Sequence, residues 1–179
     1  ESNEAKKFDI IYSPGHHLCE EAQSSDKTGK LPPHTNGVIL VDPVATEKCW
    51  RKIESREILE QVEVLFVGPK NFGYNLNHLG RINVENRPST TVRVSATIIE
   101  RNRELRSAIP SRFYLDILGT FSGDGNELPI FDKAGAILSA DRVHLTKPGA
   151  KVFGERLLRT EVWRDFRARA QRRGLRATN

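Results

Sequence analysis

The sequence predicts an α/β sandwich with a mostly parallel sheet, and three observations carry that prediction. Short runs rich in Val, Ile, Leu and Phe recur without polar alternation, as in strands buried on both faces. Stretches with helical spacing of apolar residues separate those runs, which is the order that builds parallel sheets. The chain has 179 residues, a length suited to one ordinary domain. Its apolar fraction of 37% and charged fraction of 28% fit a globular rather than a disordered chain. No apolar run approaches the ~20 residues of a transmembrane helix.

The strand candidates, in order, are Phe-Asp-Ile-Ile-Tyr from Phe8, Gly-Val-Ile-Leu-Val from Gly37, Val-Glu-Val-Leu-Phe-Val from Val62 and Phe-Tyr-Leu-Asp-Ile-Leu from Phe113. Between the second and third, Thr46 to Gln61 holds good helix formers with an imperfect apolar stripe. Ser95 to Ile109 predicts a second helix, with Ile98, Asn102, Leu105 and Ile109 on one side. Pro110 and Ser111 end it. A short apolar segment, Ala136 to Leu138, precedes a closing helix that Thr146 caps and Pro148 enters in its first turn, with Phe153, Leu157, Leu158 and Val162 as its stripe. Trp50 and Trp163 fall on helices and read as packing residues.

The formal charge of +5 invites a reading as a nucleic-acid or anionic-surface binder. Its position argues otherwise. Arg164 to Arg176 holds six arginines and one aspartate, and the rest of the chain carries 22 basic and 22 acidic residues. No aromatic platform accompanies the arginines, so no nucleic-acid partner is expected. The segment 163–179 reads as a solvated basic helix end following a unit that spans 1–162.

Two cysteines, Cys19 and Cys49, occur without a CxxC. In an oxidising compartment they would close a loop of about thirty residues, worth ~3 kcal/mol in the chain-entropy model, and in the cytosol they would be small apolar residues. His16, His17 and Cys19 lack a fourth local ligand, so no metal is assigned. His34 reads as a surface loop residue. Phe72 and Tyr74 could form an acyl- or sugar-binding wall, with packing as the simpler role, and His78 falls where it could line the same edge as His144.

Open parallel sheets bind ligands at the carboxyl ends of their strands. The loops to inspect are therefore Ser-Pro-Gly-His-His after Tyr12, Gly-Pro-Lys-Asn-Phe-Gly-Tyr-Asn after Val67, and Ser-Ala-Asp-Arg-Val-His after Leu138. The third carries the clearest chemistry. An Asp three residues before a His in a tight loop, here Asp141 and His144, can hold the imidazole by its Nδ1 proton and leave Nε2 as a general base.

Asp141-Arg-Val-His144-Leu-Thr-Lys-Pro-Gly-Ala150 resembles the last block of the SGNH hydrolases. The longer run from Leu128 to Leu158, with the run from Val62 to Asn77, is similar to the SGNH-like domain that follows the membrane acyltransferase domain of bacterial surface-polysaccharide O-acyltransferases. The resemblance spans about Phe8 to Leu158. It implies a three-layer α/β/α sandwich with a mostly parallel sheet, SGNH/flavodoxin-like, forming a periplasmic domain of an inner-membrane protein that performs acyl transfer or ester hydrolysis on a cell-envelope polysaccharide. Its partners would be an acylated glycan or acyl donor and a membrane acyltransferase domain of the same polypeptide, and it needs no cofactor. By the same resemblance His144 is the base, Asp141 its orienting carboxylate, Gly15 an oxyanion-hole donor and Asn71 the asparagine of the third block, with Lys70 or Asn75 as alternatives. A non-catalytic module that binds glycan or acyl groups for a membrane enzyme is the other reading.

One feature of the family is missing. Its nucleophile is the serine of a Gly-Asp-Ser motif after the first strand, and this sequence has no such motif; Gly123-Asp124-Gly125 comes late and lacks the serine. Phe8 to Tyr12 then corresponds to the second strand. The chain, which starts at Glu1, reads either as lacking the first strand and helix together with the serine, or as a variant without the nucleophile. Ser13 is a poor stand-in because Pro14 follows it and no nucleophile elbow surrounds it.

Overall fold

The computed structural model describes residues 35–41, 46–55, 58–70, 77–123, 126–142 and 144–176 of the chain. The strand expected at Phe8 to Tyr12 lies outside them, as do Gly15, Asn71, Asn75, Ser13, His34, Phe72, Tyr74 and the His16, His17, Cys19 cluster.

Among the described residues the fold is α/β, with one parallel three-stranded sheet and one small antiparallel sheet. Strand β1 (Gly37–Val41) is followed by helix α1 (Glu47–Glu54), the single turn α2 (Ile58–Gln61) and strand β2 (Glu63–Val67). Strand β1 pairs in parallel with β2 from Gly37 opposite Glu63 to Val41 opposite Val67. After two 3-10 segments, Asn77–Arg81 and Val84–Ser89, come β3 (Thr91–Arg93), helix α3 (Ala96–Ala108), the 3-10 turn Ser111–Phe113 and β4 (Tyr114–Leu115), which pairs in parallel with β2. Helix α4 (Ile117–Ser122) leads to β5 (Glu127–Pro129), antiparallel to β3, and helices α5 (Lys147–Leu157) and α6 (Glu161–Arg176) follow.

Strand pleating divides the core in two. Val38, Leu40, Val64 and Phe66 face α1 and α3, where they meet Cys49, Trp50, Ile53, Leu105 and Ile109. Leu65 and Val67 face the opposite way, toward Leu118, Phe121, Leu128, Ile130, Leu138, Phe153 and Phe166. Helices therefore cover both sheet faces, which explains why β2 is apolar without alternation from Val64 to Val67 and buried along its whole length. Trp50 packs edge-on against Phe66 and at 5.0 Å from Phe113. Cys49, 1% exposed, is disulfide-bonded, and the other cysteine, Cys19, lies outside the described residues.

Three elements depart from the sequence expectation. The helix expected from Thr46 to Gln61 is capped by Thr46, whose Oγ1 accepts from the Cys49 N–H, but α1 ends at Glu54. The run from Phe113 is a strand only at Tyr114 and Leu115, because the Asp116 carboxylate accepts from the Gly119 N–H at 2.9 Å and starts α4 there. The closing helix is two helices. The Thr160 hydroxyl accepts from the Trp163 N–H at 3.3 Å and begins α6, which leaves Leu158 53% exposed at the joint and removes Val162 from the stripe of α5.

The basic segment is also more than a solvated end. Phe166 and Ala170 of α6 are buried, and Phe166 lies against Gly37 at the start of β1. On the same face Arg169 donates from Nε to Glu63 Oε2 at 2.9 Å, and Arg173 from Nε to Glu63 Oε1 at 2.7 Å. Arg173 further donates to the carbonyls of Leu59 and Glu60, and Arg169 to that of Arg112. Helix α6 thus ties together the amino ends of β1 and β2 and the turn before β4. The arginines on its outer face, Arg164, Arg167 and Arg172, are exposed.

Candidate active site

The loop that carries Asp141 and His144 begins at Leu138, a core residue, and ends at the cap of α5. Leu138 is fixed from both sides: its N–H donates to the Ile130 carbonyl at 2.8 Å, and its carbonyl accepts from the Thr146 N–H at 3.1 Å. Upstream, Asp132 accepts from the N–H groups of Ala134 and Ala136, and Gly135 takes φ +80°, a conformation that suits glycine. That turn brings Ile137 back beside Phe131. Downstream, Thr146 has two contacts: its hydroxyl accepts from the Gly149 N–H at 3.1 Å and donates to the Ile137 carbonyl.

Gly149 is what lets the helix approach. A Cβ there would stand 1.8 Å from the Leu138 carbonyl oxygen, whereas one on Gly154, a turn further on, would meet nothing within 4 Å. Gly149→Ala must push α5 away from the loop and is expected to cost about 1–3 kcal/mol, as overpacking does. Gly154→Ala removes only the backbone entropy of glycine and is expected to stabilise by up to ~1 kcal/mol. Urea denaturation of the two variants beside the unsubstituted protein checks the contrast in sign.

Within this frame Asp141 grips His144 twice. One carboxylate oxygen accepts from the His144 backbone N–H at 2.7 Å, and the other lies 2.7 Å from the ring Nδ1. With Nδ1 protonated toward the carboxylate, Nε2 keeps its lone pair. The imidazole side chain is 75% exposed, so this nitrogen is accessible. Among the described residues no hydroxyl hydrogen-bonds the His144 ring. Beneath the pair, Ser139 is fully buried, and its hydroxyl lies between the carbonyl oxygens of Asp141 and His144, the latter at 2.9 Å.

Of the remaining expected site residues, Lys70 is half-buried just past β2, while Gly15, Asn71 and Asn75 lie outside the described residues, and so do the side chains of Asn77 and His78. Sequence patterning gives no sign of the buried Ser139 or of the second contact of Thr146. It uses Asn102 only for helical spacing. Asn102 is buried, accepts from the Tyr114 hydroxyl at 2.7 Å and donates to Asp116 at 3.0 Å. This network lies at the carboxyl end of β4, beside a cleft of about 450 Å³ between α3 and α4. Arg106 of that cleft reaches Asp116 only at 3.4 Å. A local signal for the network existed, since Asp116 directly follows the apolar pair Tyr114 and Leu115.

Among the described residues no group of three or more His, Cys, Asp or Glu side chains is placed to hold a metal ion, and no helix is long and apolar enough to cross a membrane. Comparison with protein-family models, with curated proteins and with solved structures gives no match to this chain.

Proposed function

We propose that this chain is an SGNH-type α/β/α domain in which His144 and Asp141 form the base and acid half of a serine-hydrolase triad acting on acyl esters of a cell-envelope polysaccharide. The observation that carries the reading is the double grip of Asp141 on His144, which orients the ring and leaves Nε2 accessible. Nε2 would accept the proton of a nucleophilic hydroxyl as its oxygen bonds to the ester carbonyl carbon. The tetrahedral intermediate then expels the alcohol, which takes the proton back from Nε2. Water or a second glycan hydroxyl repeats the sequence on the acyl group and completes hydrolysis or transfer. The described residues place no hydroxyl at Nε2, so this reading draws the serine from outside them. Gly15 and Asn71 are the proposed oxyanion donors, each worth a few kcal/mol in typical enzymes.

The disulfide at Cys49 supports a periplasmic setting, because such bonds persist in oxidising compartments. A membrane acyltransferase domain of the same polypeptide remains the proposed partner.

The second reading is a non-catalytic module that binds an acylated glycan for a membrane enzyme. Turnover of p-nitrophenyl acetate by the full-length polypeptide separates the two. His144→Ala should reduce it to background, and equal rates in both proteins would end the catalytic reading.

A further inference from the structure

Ser139 has a placement that core packing does not require. It is 0% exposed, yet it carries a hydroxyl, and a buried hydroxyl is costly unless its hydrogen bonds are made. Its two contacts are the backbone carbonyls of Asp141 and His144. The hydroxyl has one proton to share between these two acceptors, so it draws both carbonyls toward a single point. The two residues pinned in this way are those whose side chains pair above. The Ala140 N–H donates to the same His144 carbonyl at 2.9 Å and closes the loop from the other side.

The peptide planes at Asp141 and His144 decide where the carboxylate and the ring start. We infer that Ser139 is a positioning residue that fixes the Nδ1–H tautomer of His144 by holding those planes, although it touches neither the ring nor any reacting atom. The ring is too exposed for packing to orient it, so orientation depends on the Asp141 contact, and that contact depends on the loop backbone. Without the hydroxyl the loop carbonyls lose their shared donor, the carboxylate no longer meets Nδ1 and the backbone N–H together, and the ring takes the tautomer ratio of a free imidazole, with Nε2–H in the majority. The consequence for catalysis rests on the proposed role of His144 as a base, but the tautomer itself does not.

The test reads nitrogen chemical shifts of ¹⁵N-histidine-labelled full-length chain at alkaline pH, with the His144 signal assigned from a His144→Gln variant. The unsubstituted protein should show an Nδ1–H majority. Ser139→Ala, with near-ultraviolet circular dichroism confirming that it is folded, should show an Nε2–H majority; an unchanged Nδ1–H majority overturns the proposal. Should Ser139→Ala fail to fold, Ser139→Cys, whose thiol is a weak donor, carries the same decision, and Ser139→Thr should restore the Nδ1–H signal. The measurement needs no substrate, so its outcome stands apart from the hydrolysis experiment on His144→Ala.

Discussion

Asp141→Asn is expected to lower ester turnover by about 10²- to 10⁴-fold, the range associated with a general base and the group that orients it, in a protein that still folds. The reason is a mismatch of donors and acceptors. In the native loop both carboxylate oxygens accept, one from the His144 N–H and the other from the ring. An asparagine has one oxygen and one NH₂. If the oxygen stays on the backbone N–H, the NH₂ points at Nδ1, which must then accept, and the ring proton moves to Nε2. A base with its proton on the wrong nitrogen cannot take one from a nucleophile. If the amide flips, the backbone N–H faces the NH₂ and the loop loses its closing bond. Steady-state kinetics on the full-length polypeptide, with thermal melting as a control for folding, would show this. A variant as active as the parent would remove Asp141 from the mechanism.

The second large effect concerns stability. Glu63→Ala should destabilise the fold by about 3–5 kcal/mol, as expected when one partner of a buried ion pair is removed. The Glu63 side chain is 9% exposed, and each of its oxygens is taken by a different arginine of α6. Removing it leaves Arg169 and Arg173, themselves only partly exposed, facing each other with no carboxylate between them. For a chain of this length such a loss corresponds to a fall of roughly 10 °C in the melting midpoint. A fall of under about 2 °C would mean that the carbonyls around the two arginines suffice to hold α6. A cycle of Glu63→Ala, Arg173→Ala and the double variant separates the pair's own contribution from the cost of stranding one charge.

The two predictions differ in how far the sequence alone could have supported them. Asp141 and His144 are three residues apart, so their meeting is a local property of one loop. The strands at Gly37 and Val62 were legible for a similar reason, since apolar residues on both faces of a strand can be satisfied only where both faces are covered, as the buried Leu40 and Leu65 are. The helix from Ser95 was legible from its spacing. The Glu63 cluster was not, because its partners lie more than a hundred residues away. What the sequence did contain was half of the signal: Phe166, Arg169, Ala170 and Arg173 follow helical spacing, which places the two arginines on the apolar face of α6 rather than toward solvent.

The misread elements share a physical cause. At Asp116 and Thr160 a single side-chain oxygen accepts a backbone N–H and starts a new helix, and such a cap overrides the apolar run or stripe in which it is embedded. The buried role of Ser139 was invisible because a serine between Leu138 and Ala140 looks like any loop residue until the two carbonyls that it meets are known.

The clasp of α6 on Glu63 also bears on when this chain can finish folding. Strands β1 and β2 are made before the helix that closes their amino ends, whose two arginines follow Glu63 by more than a hundred residues. On a ribosome, where chains emerge from the amino end first, the sheet must wait with a buried-type carboxylate exposed and the Phe166 site empty. Only after residue 173 has left the tunnel can both arginines reach Glu63, so the amino ends of the sheet close no sooner than 110 residues after Glu63 is made.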